Sequence, residues 1–237
     1  MVSMKKREKV SIAIAAYNGE KYIYKQLRSI LDQLKDEDEI VISLDPSTDR
    51  TEEIIENMND KRIRVIDGPG KGLIKNFENA IKNTRNDVIF LSDQDDVWET
   101  DKVETVLNAI NGYDLILHDA LITDKNLKVI EDSVFKKRTP ALSFKKNVIK
   151  NCFMGCCMAF RENLKKDILP FPAKIPMHDQ WIGLVALKKG RVRIVSKPLI
   201  LYRRHGNNES NMNHASIPQM IRWRIDLLNA LKERGLV

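Results

Sequence analysis

Three carboxylates, Asp93, Asp95 and Asp96, follow directly on a nearly pure strand pattern in "VIFLSDQDDVW" (88–98). Alternate side chains of an extended segment project to one side, so Asp93 and Asp95 of "DQD" can face one cleft as a divalent-cation clamp. Mg2+ and Mn2+ favour oxygen ligands, and Mg2+ typically keeps one or two carboxylates together with phosphate oxygens and waters. Negative charge at the end of a buried strand, in a chain of net charge +7, is accounted for if a metal, and through it a diphosphate, completes the site. A lone D-x-D arises often by chance; the place of this one at a strand end gives it weight.

The neighbouring strand ends are polar too: "AAYNGE" after strand one, "LDPSTD" after strand two and "HDA" after strand five. Any one such acid is more simply a helix cap or turn former. Several together mark the edge where open α/β sheets bind ligands. Asp179 of "HDQW" opens a helical segment, where it could be a general base or an acid stabilised by the helix dipole. His118, His178 and His214 read as surface or hydrogen-bonding histidines, and Trp98 and Trp181 as packing residues. Gly68, Gly70 and Gly72 fit neither the dinucleotide nor the Walker spacing and read as a turn.

Strands and helices alternate to position these groups. "VSIAIAA" (10–16) precedes a helix with Ile23, Leu27, Ile30, Leu31 and Leu34 on one face; "EIVISLD" (39–45) precedes one with Ile54, Ile55 and Met58 inward. "RIRVID" (62–67), "DVIFLSD" (87–93) and "DLILHDA" (114–120) are further strands, and the helices between them carry Phe77, Ala80 and Ile81, then Val103, Val106 and Leu107. Repeated β-α units of this kind imply right-handed crossovers and a mostly parallel, Rossmann-like α/β sheet with helices on both faces. Residues 131–150 read as a long connection, 178–190 as an amphipathic helix, and "VRIVSKPLILYRRH" as two strands broken at Lys197–Pro198. A C-terminal amphipathic helix has Ile221, Ile225 and Leu228 on one side, with Arg222, Arg224, Lys232 and Arg234 around it.

At 237 residues, 43% hydrophobic and 31% charged, the chain reads as one domain. No run approaches the roughly 20 apolar residues of a membrane span, and no secretory signal pattern precedes the first strand; a cytoplasmic protein is expected. Cys152, Cys156 and Cys157 are odd in number and suit reduced, buried thiols. Seven basic residues and no acid lie between Asp132 and Glu162, and seven more between Asp179 and Glu209. Such stretches suit an anionic membrane, phosphate or nucleic acid, or simply a solvated face.

"VSIAIAAYNGEKYI", "DPSTDRT", "FLSDQDDVW", "GCCMAF", "HDQW" and "LYRRHGNN" occur in the order and approximate spacing of family 2 glycosyltransferases, the inverting enzymes of the GT-A fold. The chain resembles that family over residues 10 to about 208, and the last two motifs look like the bacterial subgroup that includes rhamnosyltransferases of cell-surface polysaccharides. The resemblance implies a single domain with a nucleotide-sugar-binding half (1–120), an acceptor-binding half (121–210) and a C-terminal helix (215–237). It places Ala15, Tyr17 and Asp45 against the nucleotide, Asp93 against the ribose or donor sugar, Arg203 and Arg204 near the diphosphate, and Asp179 as catalytic base. Asp95 and His205 would hold Mg2+ or Mn2+. The donor would be UDP- or dTDP-linked and the acceptor a glycan, free or lipid-linked.

One departure concerns the second strand, where Leu44 and Pro46 replace the family's usual first acid and glycine around Asp45. The C-terminal helix could meet an anionic membrane, the domain itself or a second copy in a homodimer. Two other classes compete. A sugar-phosphate nucleotidyltransferase needs a glycine-rich, basic loop after strand one, and "AAYNGEKY" is poor in both. A nucleic-acid-binding module has only the net charge and the basic stretches behind it, lacks stacking or zinc patterns, and would meet repulsion from carboxylates at the binding edge.

Overall fold

Apolar runs too short for helices and too continuous for surface strands make up the centre of the molecule. In the computed structural model, which describes residues 7–205 and 216–237, Val10–Ala16 (β1) is buried at every position. Glu39–Leu44 (β2), Ile63–Asp67 (β3) and Val88–Ser92 (β4) lie beside it with the parallel order β3-β2-β1-β4. Burial of Ile12, Ile14, Ile40, Ile42 and Phe90 between two helical layers stabilises this half by about 1.5–3 kcal/mol per large side chain. The covering helices are Ile23–Leu31 (α1), Thr51–Glu56 (α2) and Leu73–Lys82 (α3), each presenting the inward face that its spacing predicts.

Beyond β4 the sheet is mixed rather than mostly parallel. Val97–Trp98 (β5), Lys102–Ala109 (α4), Leu115–Thr123 (β6) and Val129–Glu131 (β7) lead into Phe144–Ile149 (α5) and Met158–Arg161 (β8). Strand β8 inserts antiparallel between β4 and β6. Helices Lys165–Ile168 (α6) and His178–Lys189 (α7) then lead to Val192–Arg203 (β9), which runs parallel to β6 and carries β5 antiparallel on its far edge. A crossover helix is needed only between parallel neighbours, so β8 can enter antiparallel without one.

Three further expectations are corrected. The 131–150 connection contains the last residue of the three-residue β7 and the whole of α5. The two strands expected on either side of Lys197–Pro198 are one strand, β9, because Ser196 and Lys197 bulge out between the pairs His118–Val195 and Asp119–Pro198; a bulge is where a strand tolerates proline. Helix α7 is not amphipathic: His178 and every residue from Gln180 to Ala186 are buried, since α3, α5 and α6 pack around it. Among the described residues no helix is long and apolar enough to cross a membrane. Gly206, Asn207 and Asn208 of the "RRHGNN" motif, and His214, lie outside the described residues.

Candidate active site

Three loops at the carboxyl end of the parallel strands are stitched together by side chains. The loop after β1 receives Gln94 from the loop after β4: its Nε2 donates to Tyr17 O at 2.8 Å, and its Oε1 accepts from Tyr17 N–H at 2.9 Å. A Cβ on Gly19 would come within 2.5 Å of that Oε1, so glycine is what lets the two loops close. The loop after β2 joins through Asn18, whose Oδ1 accepts from Thr48 N–H at 2.8 Å, and through Thr51 Oγ1, which accepts from Gly19 N–H at 2.7 Å. The middle residue of "DQD" is thus a structural staple, leaving Asp93 and Asp95 to the cleft.

Ala15 is buried within β1, Tyr17 beyond it is 54% exposed, and Asp45 is buried at the end of β2. The Asp45 carboxylate accepts from Gly70 N–H at 2.8 Å, so it also anchors the turn at residues 68–72.

Asp95 and His205, the two expected metal ligands, meet: His205 Nε2 is 2.7 Å from Asp95 Oδ2. The imidazole stacks on Tyr22 with centroids 4.7 Å apart, and the Arg203 guanidinium lies 4.8 Å from the same ring. Arg203 is buried. It donates from Nε to Asp95 O at 2.6 Å and from Nη1 to Lys125 O at 2.8 Å, while its backbone N–H donates to Asp96 Oδ1 at 3.0 Å. Its cation therefore holds the loop after β4 directly. Arg204 is half-buried next in sequence, with its N–H donated to Thr123 O at 2.9 Å.

Asp93 has its pKa pushed up to about 7, by burial first and then by the charge of Asp95, with Asp179 adding to it. The Cys156 sulfur lies within 4.8 Å of the ligand atoms of Asp93 and Asp96, and a Cβ on the preceding Gly155 would meet His178 Nε2 at 2.8 Å, so the start of α7 with Asp179 and the strand-end acids flank one cleft. Asp179 itself is raised to about 6 by burial, opposed by the Gln180 N–H, Arg138, Asn151 and the Gly155 N–H. Asn151 Nδ2 donates to Asp179 Oδ1 at 3.2 Å. A half-buried acid poised near neutrality, with its charged form partly supported, suits general-base work.

Sequence reasoning missed the layer underneath. Asp96 is fully buried, with Oδ2 unpartnered among the described residues, and its pKa is raised well above the usual range by burial and by Asp95 and Asp93. Lys102, also fully buried, donates to Cys156 O at 2.9 Å and lies 3.9 Å from the Trp98 ring centroid. Burial lowers it to about 8. Asp93, Asp96 and Cys156 bring ligand atoms within 4.8 Å of one another. The Cys156 thiol is raised, by its hydrogen bond with Cys157 and by burial, and a sulfur donor is softer than Mg2+ or Mn2+ prefers. The Asp95 carboxylate offers the oxygen donor that suits Mg2+ or Mn2+, with the His205 imidazole nitrogen 2.7 Å from it. All three cysteines are buried and free, as expected.

Comparison with known proteins places this arrangement. The model of Glycosyl transferase family 2 matches residues 11–169. The chain is 29% identical over 231 residues to the dTDP-rhamnosyl transferase RfbG of Shigella flexneri, covering 84% of this chain and 74% of that protein. It is 28% identical over 208 residues to the UDP-Glc:alpha-D-GlcNAc-diphosphoundecaprenol beta-1,3-glucosyltransferase WfaP of Escherichia coli, covering 86% and 80%. Among solved structures, residues 1–349 of S. aureus TarS in complex with UDP-GlcNAc superimpose with a TM-score of 0.73 at 23% identity, over 94% of this chain and 67% of that one. The mannosyltransferase PcManGT of Pyrobaculum calidifontis, in complex with GDP-Man and Mn2+, gives 0.60 at 17%, over 97% and 64%. The fold is thus that of the GT-A glycosyltransferases, and with a family match spanning more than half its length the chain belongs to glycosyl transferase family 2.

Proposed function

We propose that the chain transfers a sugar from a nucleoside diphosphate, UDP- or dTDP-linked, to a hydroxyl of a glycan, with inversion at the anomeric carbon. The acceptor is a growing cell-surface polysaccharide, borne on a lipid diphosphate. Asp95 and His205 would hold a divalent cation, which would supply charge neutralisation at the donor diphosphate. Residues 1–120 bind the donor and 121–210 the acceptor.

The observation that carries this reading is the meeting of Asp95 and His205 at the carboxyl edge of the parallel strands. Asp179 takes the acceptor proton as the hydroxyl oxygen forms its bond to the anomeric carbon. The bond from that carbon to the phosphate oxygen breaks, and its electron pair leaves with the nucleoside diphosphate. Charge that builds on the departing group is met by Arg204 and by the His205 side of the cleft. Ala15 and Tyr17 border the base, and Asp45 and Asp93 the ribose and donor sugar. One base on one face gives inversion.

Melting of the protein in a panel of nucleoside diphosphates and nucleotide sugars, with and without Mn2+, tests the reading. Stabilisation by one nucleotide only when metal is present supports it and identifies the base; indifference to all of them overturns it. The RfbG likeness makes dTDP-rhamnose the first donor to try, and the WfaP likeness UDP-glucose the second.

A further inference from the structure

The apolar side of Ile217–Glu233 (α8) that its sequence spacing singles out is not the side that packs. Leu227, Ala230 and Leu231 are buried against the domain, whereas Ile217, Ile221, Ile225 and Leu228 are 69, 52, 53 and 42% exposed. At about 100° per residue these four fall within an arc of roughly 80°, a continuous outward stripe. Helix α5 extends it. Arg224 Nη2 donates to Ile149 O at 2.7 Å, and the Ile149 side chain is itself 64% exposed.

The rim of this face is basic. Lys145, Lys146 and Lys150 are exposed on and just after α5, and Lys232 is exposed on α8 at the end of the stripe. Arg222, Asp226 and Glu233 of α8 fall together about 100–140° from the stripe's centre, a mixed-charge side turned away from it. Apolar side chains ringed by lysine and arginine are the pattern of a helix lying in a membrane interface. A two-fold contact with a second copy would bring the same basic face from both partners into one interface without a facing acidic patch.

We propose that the α5–α8 face docks on an anionic lipid bilayer. The same face leads straight to the reacting groups: Asn151, two residues beyond Ile149, donates to Asp179, and Gln180 Nε2 donates to Asn147 O of α5 at 2.7 Å. Docking therefore holds Asp179 close to the headgroup plane, where a lipid diphosphate presents its glycan. That last step rests on the transferase reading; the docking does not.

Flotation with phosphatidylcholine vesicles, alone or containing phosphatidylglycerol, tests it. The chain is expected to float with the anionic vesicles only and to be released by salt. Each interfacial lysine is worth about fivefold in partition, so Lys145→Glu, Lys146→Glu and Lys150→Glu together are expected to weaken binding by more than ~100-fold. Ile221→Ser, Ile225→Ser and Leu228→Ser should also abolish it with the melting temperature unchanged; if that variant fails to fold, the lysine variant decides alone. Equal binding to neutral and anionic vesicles, or none to either, overturns the proposal. So does a solution dimer that the serine variant dissolves while the parent ignores vesicles. The nucleotide response is read on the same protein, and indifference to every nucleotide, with or without Mn2+, would end the donor and acceptor reading while leaving the flotation result intact.

Discussion

His205 Nε2 lies 2.7 Å from Asp95 Oδ2, joining the loop after β4 to the end of β9 across 110 positions of sequence. The two side chains keep only 11% and 15% exposure. Their meeting depends on three segments at once, because Tyr22 after β1 stacks on the imidazole while Arg203 ties β9 to the backbone of Asp95 and the carboxylate of Asp96. The pair is therefore a product of the tertiary fold, and its geometry is set before any ligand arrives.

If both residues hold one cation, their removal cannot be independent. Asp95→Ala and His205→Ala are each expected to lower Mn2+-dependent nucleotide affinity by at least ~10-fold, and the double variant to lose little more than the worse single one. Calorimetric titration of nucleotide with and without Mn2+ reads this. Fully additive losses would place the two residues in separate roles.

Tyr22 touches the His205 ring by stacking, so the ring rather than the hydroxyl is what counts. Tyr22→Phe is expected to behave as the parent, whereas Tyr22→Ala should weaken metal-dependent nucleotide binding by about 10–100-fold, the range seen when an outer-shell partner of a metal ligand is lost. Mn2+ titration of both variants distinguishes them. A defect in Tyr22→Phe equal to that of alanine would move the role to the hydroxyl.

Asp179 can accept a proton only when ionised, and its pKa sits at about 6. Turnover is expected to rise with pH through that value and then level on the alkaline side. Asn151 and Arg138 favour the charged form, so Asn151→Ala and Arg138→Ala should each move the acid limb to higher pH. Asp179→Asn should reduce turnover by about 10²–10⁴ while nucleotide affinity is nearly kept. The kcat profile against pH for the four proteins checks the sign; a limb that moves to lower pH in Asn151→Ala contradicts the assignment.

What the sequence made legible is what depends on local pattern. Strands β1 to β4 announce themselves as apolar runs ending in polar residues, and "DQD" and "HDQW" sit where strand and helix ends put them. Gln94, Tyr22, Asp96 and Lys102 could not be read that way, since each acquires its partner from a segment distant in sequence, such as Lys102 at the Cys156 carbonyl. A clue existed for Lys102, a lysine beside Val103 at the start of a helix whose inward face it shares, but burial of a charge is decided by the neighbours that surround it. Helix α7 misled for the converse reason: Gln180 and Gly183 look like an outer face, and His178 like a surface histidine, until the neighbouring helices cover them.

That covered face makes a stability prediction. A Cβ on Gly183 would collide with the ring of Phe153, which is fully buried. Gly183→Ala forces the ring or the helix to move, at about 1–3 kcal/mol, the usual cost of overpacking. Thermal melting should show the loss, and Phe153→Leu combined with Gly183→Ala should recover part of it. A Gly183→Ala melting temperature equal to the parent's would mean that α7 has room the packing does not show.

Asp45 carries two demands that one substitution can separate. Its Oδ1 accepts from Gly70 N–H at 2.8 Å, and a Cβ on Gly68 would strike the same oxygen, so the turn at 68–72 is built around the carboxylate. Asp45→Ala removes the acceptor and is expected to destabilise by about 1–3 kcal/mol, because the donor loses its partner next to a buried site. Asp45→Asn keeps an oxygen for Gly70 while removing the charge. It should melt close to the parent yet bind nucleotide more weakly, since a ribose hydroxyl donates more strongly to a carboxylate than to an amide oxygen. Measured together, melting and nucleotide affinity give a clear outcome: an Asn variant unchanged in both would make Asp45 the anchor of a turn and nothing more.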